Sequence, residues 1–169
     1  EVVSNCEGIL RRNNACSRKV RTAVVAWENP PPKPLLPRDA QKPDRGNDAA
    51  AEGVLGRDDA GHLLWGAEVL LAADVVYDVP GAEKLATLVA TLLQKGSAEV
   101  LYLAVEKRVY FSAATLRAEV AAYPQFLEEC QARGLHAAPV DLLTVPVHFG
   151  YVRSRFYELI VVTVGETAG

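Results

Sequence analysis

Asp74 with Tyr77, the triplet Glu106, Lys107 and Arg108, and Trp27 with Glu28 are the polar and aromatic groups that close three apolar runs of this 169-residue sequence. A carboxylate can accept a hydrogen bond from an amine and orient its lone pair, and an aromatic face can pack on a ring or a cation. Asp74 stands out in "LLAADVVYDVP" because Val75 and Val76 follow it. Its carboxylate leaves the chain beside the core, where lost solvation calls for a partner. For "EKR" alone the favoured reading is plainer: strand ends meet solvent, where charge is cheap. Trp27 reads equally well as a core tryptophan at a strand end.

The elements that must position these groups follow from periodicity. "AEVLLAADVVY" (67 to 77) and "AEVLYLAV" (98 to 105) are nearly continuous apolar runs, the pattern of strands buried on both faces of a parallel sheet. Between them, Asp78 can cap a helix with Pro80 in its first turn. Leu85, Leu88, Val89, Leu92 and Leu93 then share one face before Gly96 stops it. Strand, helix, strand is a βαβ unit, and ligands of such open sheets bind beyond the carboxyl ends of the strands. Val2, Cys6, Ile9 and Leu10 predict a short helix over 2 to 14, and "VRTAVVAW" a strand over 20 to 27. Residues 29 to 66 are rich in proline and glycine without an apolar period and read as a long disordered insertion. Leu116, Val120, Tyr123, Leu127 and Cys130 predict a helix over 113 to 133, kinked at Pro124. Two strands, 136 to 146 and 154 to 165, close the chain as an antiparallel hairpin with a loop of about eight residues.

Composition narrows the function. With 18 Lys and Arg against 21 Asp and Glu, the formal charge is -3, and there is no basic field to hold a phosphate backbone. Direct nucleic-acid binding is not expected. No apolar run approaches the roughly 20 residues of a membrane span. Cys6, Cys16 and Cys130 lack a metal-ligand spacing and read as small hydrophobes in a reducing compartment, and His62, His136 and His148 show no ligand spacing either. The sequence contains no methionine and opens mid-pattern at "EVVSNCEGIL", which reads as a piece of a longer chain.

"AADVVYD" followed by an amphipathic helix, then "LAVEKRVYF", "AYPQFLEECQARGL" and a closing hairpin, resembles the C-terminal half of the seven-β-strand, S-adenosylmethionine-dependent protein-lysine methyltransferases of family 16. The resemblance runs from about residue 67 to 165 and more thinly from 1 to 27. It implies an α/β, Rossmann-like methyltransferase domain lacking its first two strands and the glycine-rich turn between strand and helix. It further implies S-adenosyl-L-methionine as cofactor and a protein carrying a target lysine as substrate, in the nucleus or cytoplasm. A nucleic-acid-associated substrate and a monomeric enzyme fit the same picture. Asp74 then matches the family's acid, which accepts a hydrogen bond from the target amine, and Tyr77 lines the lysine channel. Trp27 matches the tryptophan that packs on adenine, with Ala73 and Glu28 beside the cofactor.

The sequence also departs from the family. Ala26 stands where the family commonly has an acid, and none of the 12 glycines lies in a G-x-G-x-x-G context after a strand. With two central strands missing, the strand of Asp74 becomes a bare apolar edge. These residues alone are expected to be unstable and not to bind the cofactor. A non-catalytic interaction module on the same sheet is the alternative. A related enzyme acting on a small molecule or RNA is a third reading, since fold does not fix function.

Overall fold

A computed structural model describes residues 25–34, 57–112, 116–148, 150 and 154–165. The chain divides into two units, Glu1–Gly66 and Ala67–Gly169. The expected helix over 2 to 14, and residues 20 to 24 of the expected strand, lie outside the described residues.

In the first unit, the end of the predicted strand is a turn. Ala26 and Asn29 form an isolated bridge, closed by the Asn29 N–H donating to the Ala26 carbonyl at 3.1 Å, so Trp27 and Glu28 are turn residues. The reading of 29 to 66 as structureless also fails at both ends. Helix α1 spans Arg57–Trp65, and Trp65 Nε1 donates to the Pro31 carbonyl at 2.8 Å. Pro31 is buried, and a Cβ on Gly61 would sit only 3.2 Å from the Pro32 carbonyl oxygen, so proline chain and helix are in close contact. A half-buried tryptophan needs an acceptor for its N–H, and this one is found 34 residues away, beyond the reach of any local periodicity.

The second unit is an α/β sheet. Its elements are β1 (Val69–Ala73), α2 (Val79–Lys95), β2 (Val100–Glu106), β3 (Tyr110–Ser112), β4 (Arg117–Glu119), α3 (Ala122–Ala132), β5 (Leu135–Pro139) and β6 (Tyr157–Val164). The main sheet has the order β1-β2-β6-β5, while β3 and β4 pair as a separate antiparallel ribbon. β1 and β2 are parallel, and β6 is antiparallel to both β2 and β5. The closing pair is therefore antiparallel as expected, but β6 inserts beside β2. The connection from Pro139 to Tyr157 is also longer than eight residues.

The helix α2 forms as its sequence requires. The Asp78 side chain accepts from the Gly81 N–H at 2.6 Å, and Leu85, Leu88, Val89, Leu92 and Leu93 are all buried. At its end the Gly96 N–H donates to the Leu92 carbonyl at 2.9 Å. By contrast, residues 116 to 121 are not helical, and residues 113 to 115 of the expected helix lie outside the described residues. Leu116 takes a left-handed φ of 54° and is exposed, and α3 begins at Ala122. Pro124 thus lies in the first turn, where its missing N–H costs nothing, and starts the helix instead of kinking it.

The apolar strands are covered on one face only. Leu101, Leu103 and Val105 of β2 and Ile160 and Val162 of β6 are buried, with Phe126 and Cys130 of α3 fully enclosed. On the opposite face Leu71 is 79% exposed, and Val69 and Tyr102 are also open. β1 is an edge of the described sheet, so the expectation of burial on both faces does not hold for it. Cys130 is a packing residue: burial pushes its thiol up to about 12 against the opposing charge of Arg133.

Phe126→Ala is expected to lower stability by about 3–5 kcal/mol through the cavity left between helix and sheet. Asp78→Ala should cost about 1 kcal/mol through the lost cap. Urea unfolding curves check both, and equal effects would mean that α3 is not part of the core.

Candidate functional site

At the carboxyl ends of β1 and β2 the second unit forms an open cavity of about 410 Å³. Ala73 and Asp74 line it from the end of β1, and Ala104, Val105 and Glu106 from the end of β2. Because β6 runs the other way, its first residues, Tyr157, Glu158 and Leu159, stand at the same edge. Leu142 and Val145 form the remaining wall. They come from a loop folded on Asp141, whose side chain accepts from the Leu143 N–H at 2.9 Å and whose carbonyl accepts from the Thr144 N–H at 3.0 Å. The volume is that of an ordinary small-ligand site, and its place is where an open α/β sheet binds ligands.

Asp74 marks the point where β1 stops. Its N–H donates to the Ala104 carbonyl at 2.8 Å, completing the ladder, and its φ of 49° then turns the chain away. Aspartate tolerates the left-handed region better than most residues, but the position still stores backbone strain. The carboxylate meets Arg108, with Nη2 2.7 Å from Oδ2. The hydrogen bond to Asp74, with its charge, holds the Arg108 guanidinium above its ordinary value.

The triplet at the end of β2 does not simply face solvent; its three side chains go three ways. Glu106 lines the cavity, in register with Tyr157. Arg108 pairs with Asp74. Lys107 pairs with Glu158, Nζ lying 2.8 Å from Oε2, and also sits 5.3 Å from the centre of the Tyr123 ring. The lysine approaches that enclosed oxygen off the hydrogen-bond axis, so the contact is chiefly charge on charge. Burial pushes the Glu158 carboxyl up, but Lys107 and the Tyr123 hydroxyl outweigh it and hold the carboxyl below its ordinary value. Burial, and then the Glu158 charge, raise the Tyr123 hydroxyl above its ordinary value. The result joins β2, β6 and α3 beneath the cavity.

Of the residues singled out in the sequence, Asp74 and Ala73 line the cavity. Tyr77 lies outside its lining and is 55% exposed. Trp27 and Glu28 belong to the turn of the first unit. Glu158 and Tyr157 were not legible as site residues from composition. The available signal was a lone carboxylate at the head of the apolar run "ELIVVTV", in a strand whose antiparallel sense starts it at the ligand edge. Among the described residues no cluster of three or more His, Cys, Asp or Glu could hold a metal ion. No described helix is long and apolar enough to cross a membrane.

Two carboxylates, Asp74 and Glu106, thus border a space whose other walls are largely aliphatic, with Arg108 as counter-ion to Asp74, while Glu158 turns its carboxylate to Lys107 and Tyr123. Such a site suits a ligand with an apolar stem and a donor or cationic head.

Two outcomes follow from this geometry. Glu158 is held below its ordinary 4.5, so its contribution is complete above that value and is lost as pH falls through the lowered one. Glu158→Gln should therefore cost about 1 kcal/mol at neutral pH, with the deficit closing in acid, as followed by thermal melts across pH. At Asp74, where glycine relieves the left-handed φ, Asp74→Ala should be about 1 kcal/mol less stable than Asp74→Gly by urea unfolding. Equal stability would mean that the backbone there is unstrained. Among known protein families, curated proteins and solved structures, none matches this chain.

Proposed function

We propose that the chain carries the amine-facing part of an S-adenosylmethionine-dependent protein-lysine N-methyltransferase. The observation that carries this reading is Asp74: a carboxylate on a left-handed residue at the carboxyl end of β1, lining a cavity with aliphatic walls. A lysine side chain has the required shape, four methylenes ending in an amine. Leu142, Val145 and Leu159 would hold the stem, and Asp74 would accept a hydrogen bond from the nitrogen and orient its lone pair. Leaving water behind on entry favours the neutral nucleophile.

S-adenosylmethionine, when bound, supplies an electrophilic methyl group on a sulfonium. The donor set fits a cationic group of that kind, since Glu106 borders the same space and the small side chain of Ala73 obstructs it little. Trp27 and Glu28 are the residues assigned to the adenine side by the resemblance. The substrate class that follows is a protein with an accessible lysine, in the nucleus or cytoplasm, including one associated with nucleic acid. A second reading, a non-catalytic interaction module, is favoured by Ala26 and by the turn at Trp27, since both depart from the family's pattern on the adenine side.

The two readings separate in an assay of the full-length protein with radiolabelled cofactor on an array of lysine-containing proteins. Asp74→Asn keeps the backbone preference and the shape of the side chain but removes the charge. It should lower incorporation about a hundredfold while leaving the melting temperature nearly unchanged. No incorporation by the wild type would support the interaction module instead.

A further inference from the structure

The carboxylate proposed to receive the substrate is already engaged, by a cation that belongs to the chain itself. We propose that Arg108 is an internal competitor for Asp74, a specificity-determining residue that an incoming alkylammonium or amine must displace and whose hold sets the threshold for binding. The proposal rests on the amine-binding reading of the cavity.

Both ends of this contact are anchored in the backbone. Asp74 is fixed by its hydrogen bond to Ala104, and Lys107 by its N–H donating to the Phe156 carbonyl at 2.9 Å. β3 begins at Tyr110, so Arg108 lies in a three-residue link between two pinned points. Its side chain reaches an acid 34 residues away in sequence. The contact is nonetheless a weak one. It is a single Nη2 to Oδ2 interaction where a bidentate fork would be strong, and the two side chains are 52% and 54% exposed. Water and salt screen such a pair, so its loss is cheap.

A ligand head seated in the cavity meets the same carboxylate, since Asp74 lines that space. Its stem also gains from Leu142, Val145 and Leu159. A small inorganic cation has no stem and gains nothing from those walls, so Arg108 filters for ligands that combine length with a cationic or donor head. The released guanidinium has a second acceptor within reach of its charge, Glu106, which borders the same cavity.

The test is an equilibrium titration that requires no turnover. n-Butylammonium chloride, at constant ionic strength, is added to the full chain labelled at its carboxylates, and the Asp74 side-chain carbon shift is followed by NMR. Arg108→Gln should bind the probe about fivefold more tightly than the wild type, and Arg108→Lys, which keeps the charge, should stay near it. Tetramethylammonium, a cation without a stem, should bind weakly to both. Binding of butylammonium to Arg108→Gln no tighter than to the wild type, with melts unchanged, overturns the competitor role while leaving the amine site standing. No binding to either form, or equal binding to Asp74→Asn read from cavity resonances, overturns the amine site itself.

Discussion

The antiparallel ladder between β2 and β6 decides where Glu106, Tyr157 and Glu158 stand at the cavity. From Leu101 opposite Val162 to Glu106 opposite Tyr157, the register sets buried residues against buried residues on one face. It delivers Glu158 beside Val105 at the same edge where β1 and β2 end. A slip of one residue would turn Glu158 and Ile160 to the opposite face and bring Leu159 under the helices. The hydrophobic pattern of "YELIVVTV" is therefore a constraint on the site as much as on the core.

Much of this was legible in the sequence because it is local. The cap at Asp78, the apolar face of α2 and the stop at Gly96 each depend on residues within one helix, and all three form as read. The α/β character and the antiparallel closing pair follow from periods of similar range. What escaped depends on partners far apart. Trp65 is held by Pro31, Arg108 finds Asp74, and Lys107 finds Glu158, none of which a period of two or 3.6 residues can announce. The helix misread upstream of Ala122 has a different cause. Leu116 and Val120 match a helical spacing by chance, while the left-handed Leu116 and the ribbon of β3 and β4 use that stretch otherwise.

At the candidate site the sequence found the acid and missed its setting. Asp74 stands out on the argument that a carboxylate beside the core needs a partner; it has one in Arg108, but its side chain is 54% exposed, so the desolvation behind that argument is not met. The same argument applied to Glu158 would have found the second acid, whose environment is the more enclosed of the two. Charge compensation around the cavity is thus split by depth: an open, half-exposed pair at Asp74, and a more enclosed network at Glu158.

The division of the aromatic residues between the two units has a practical consequence. Both tryptophans, Trp27 and Trp65, lie before Gly66, while all six tyrosines lie after Ala67. Indole emission excited at long wavelength therefore reports on the first unit, through the turn at Trp27 and the helix at Trp65, whereas the tyrosines report on the second. Any unfolding curve recorded with one of these probes describes one unit. Whether the two curves coincide is a direct measure of the cooperativity between the units.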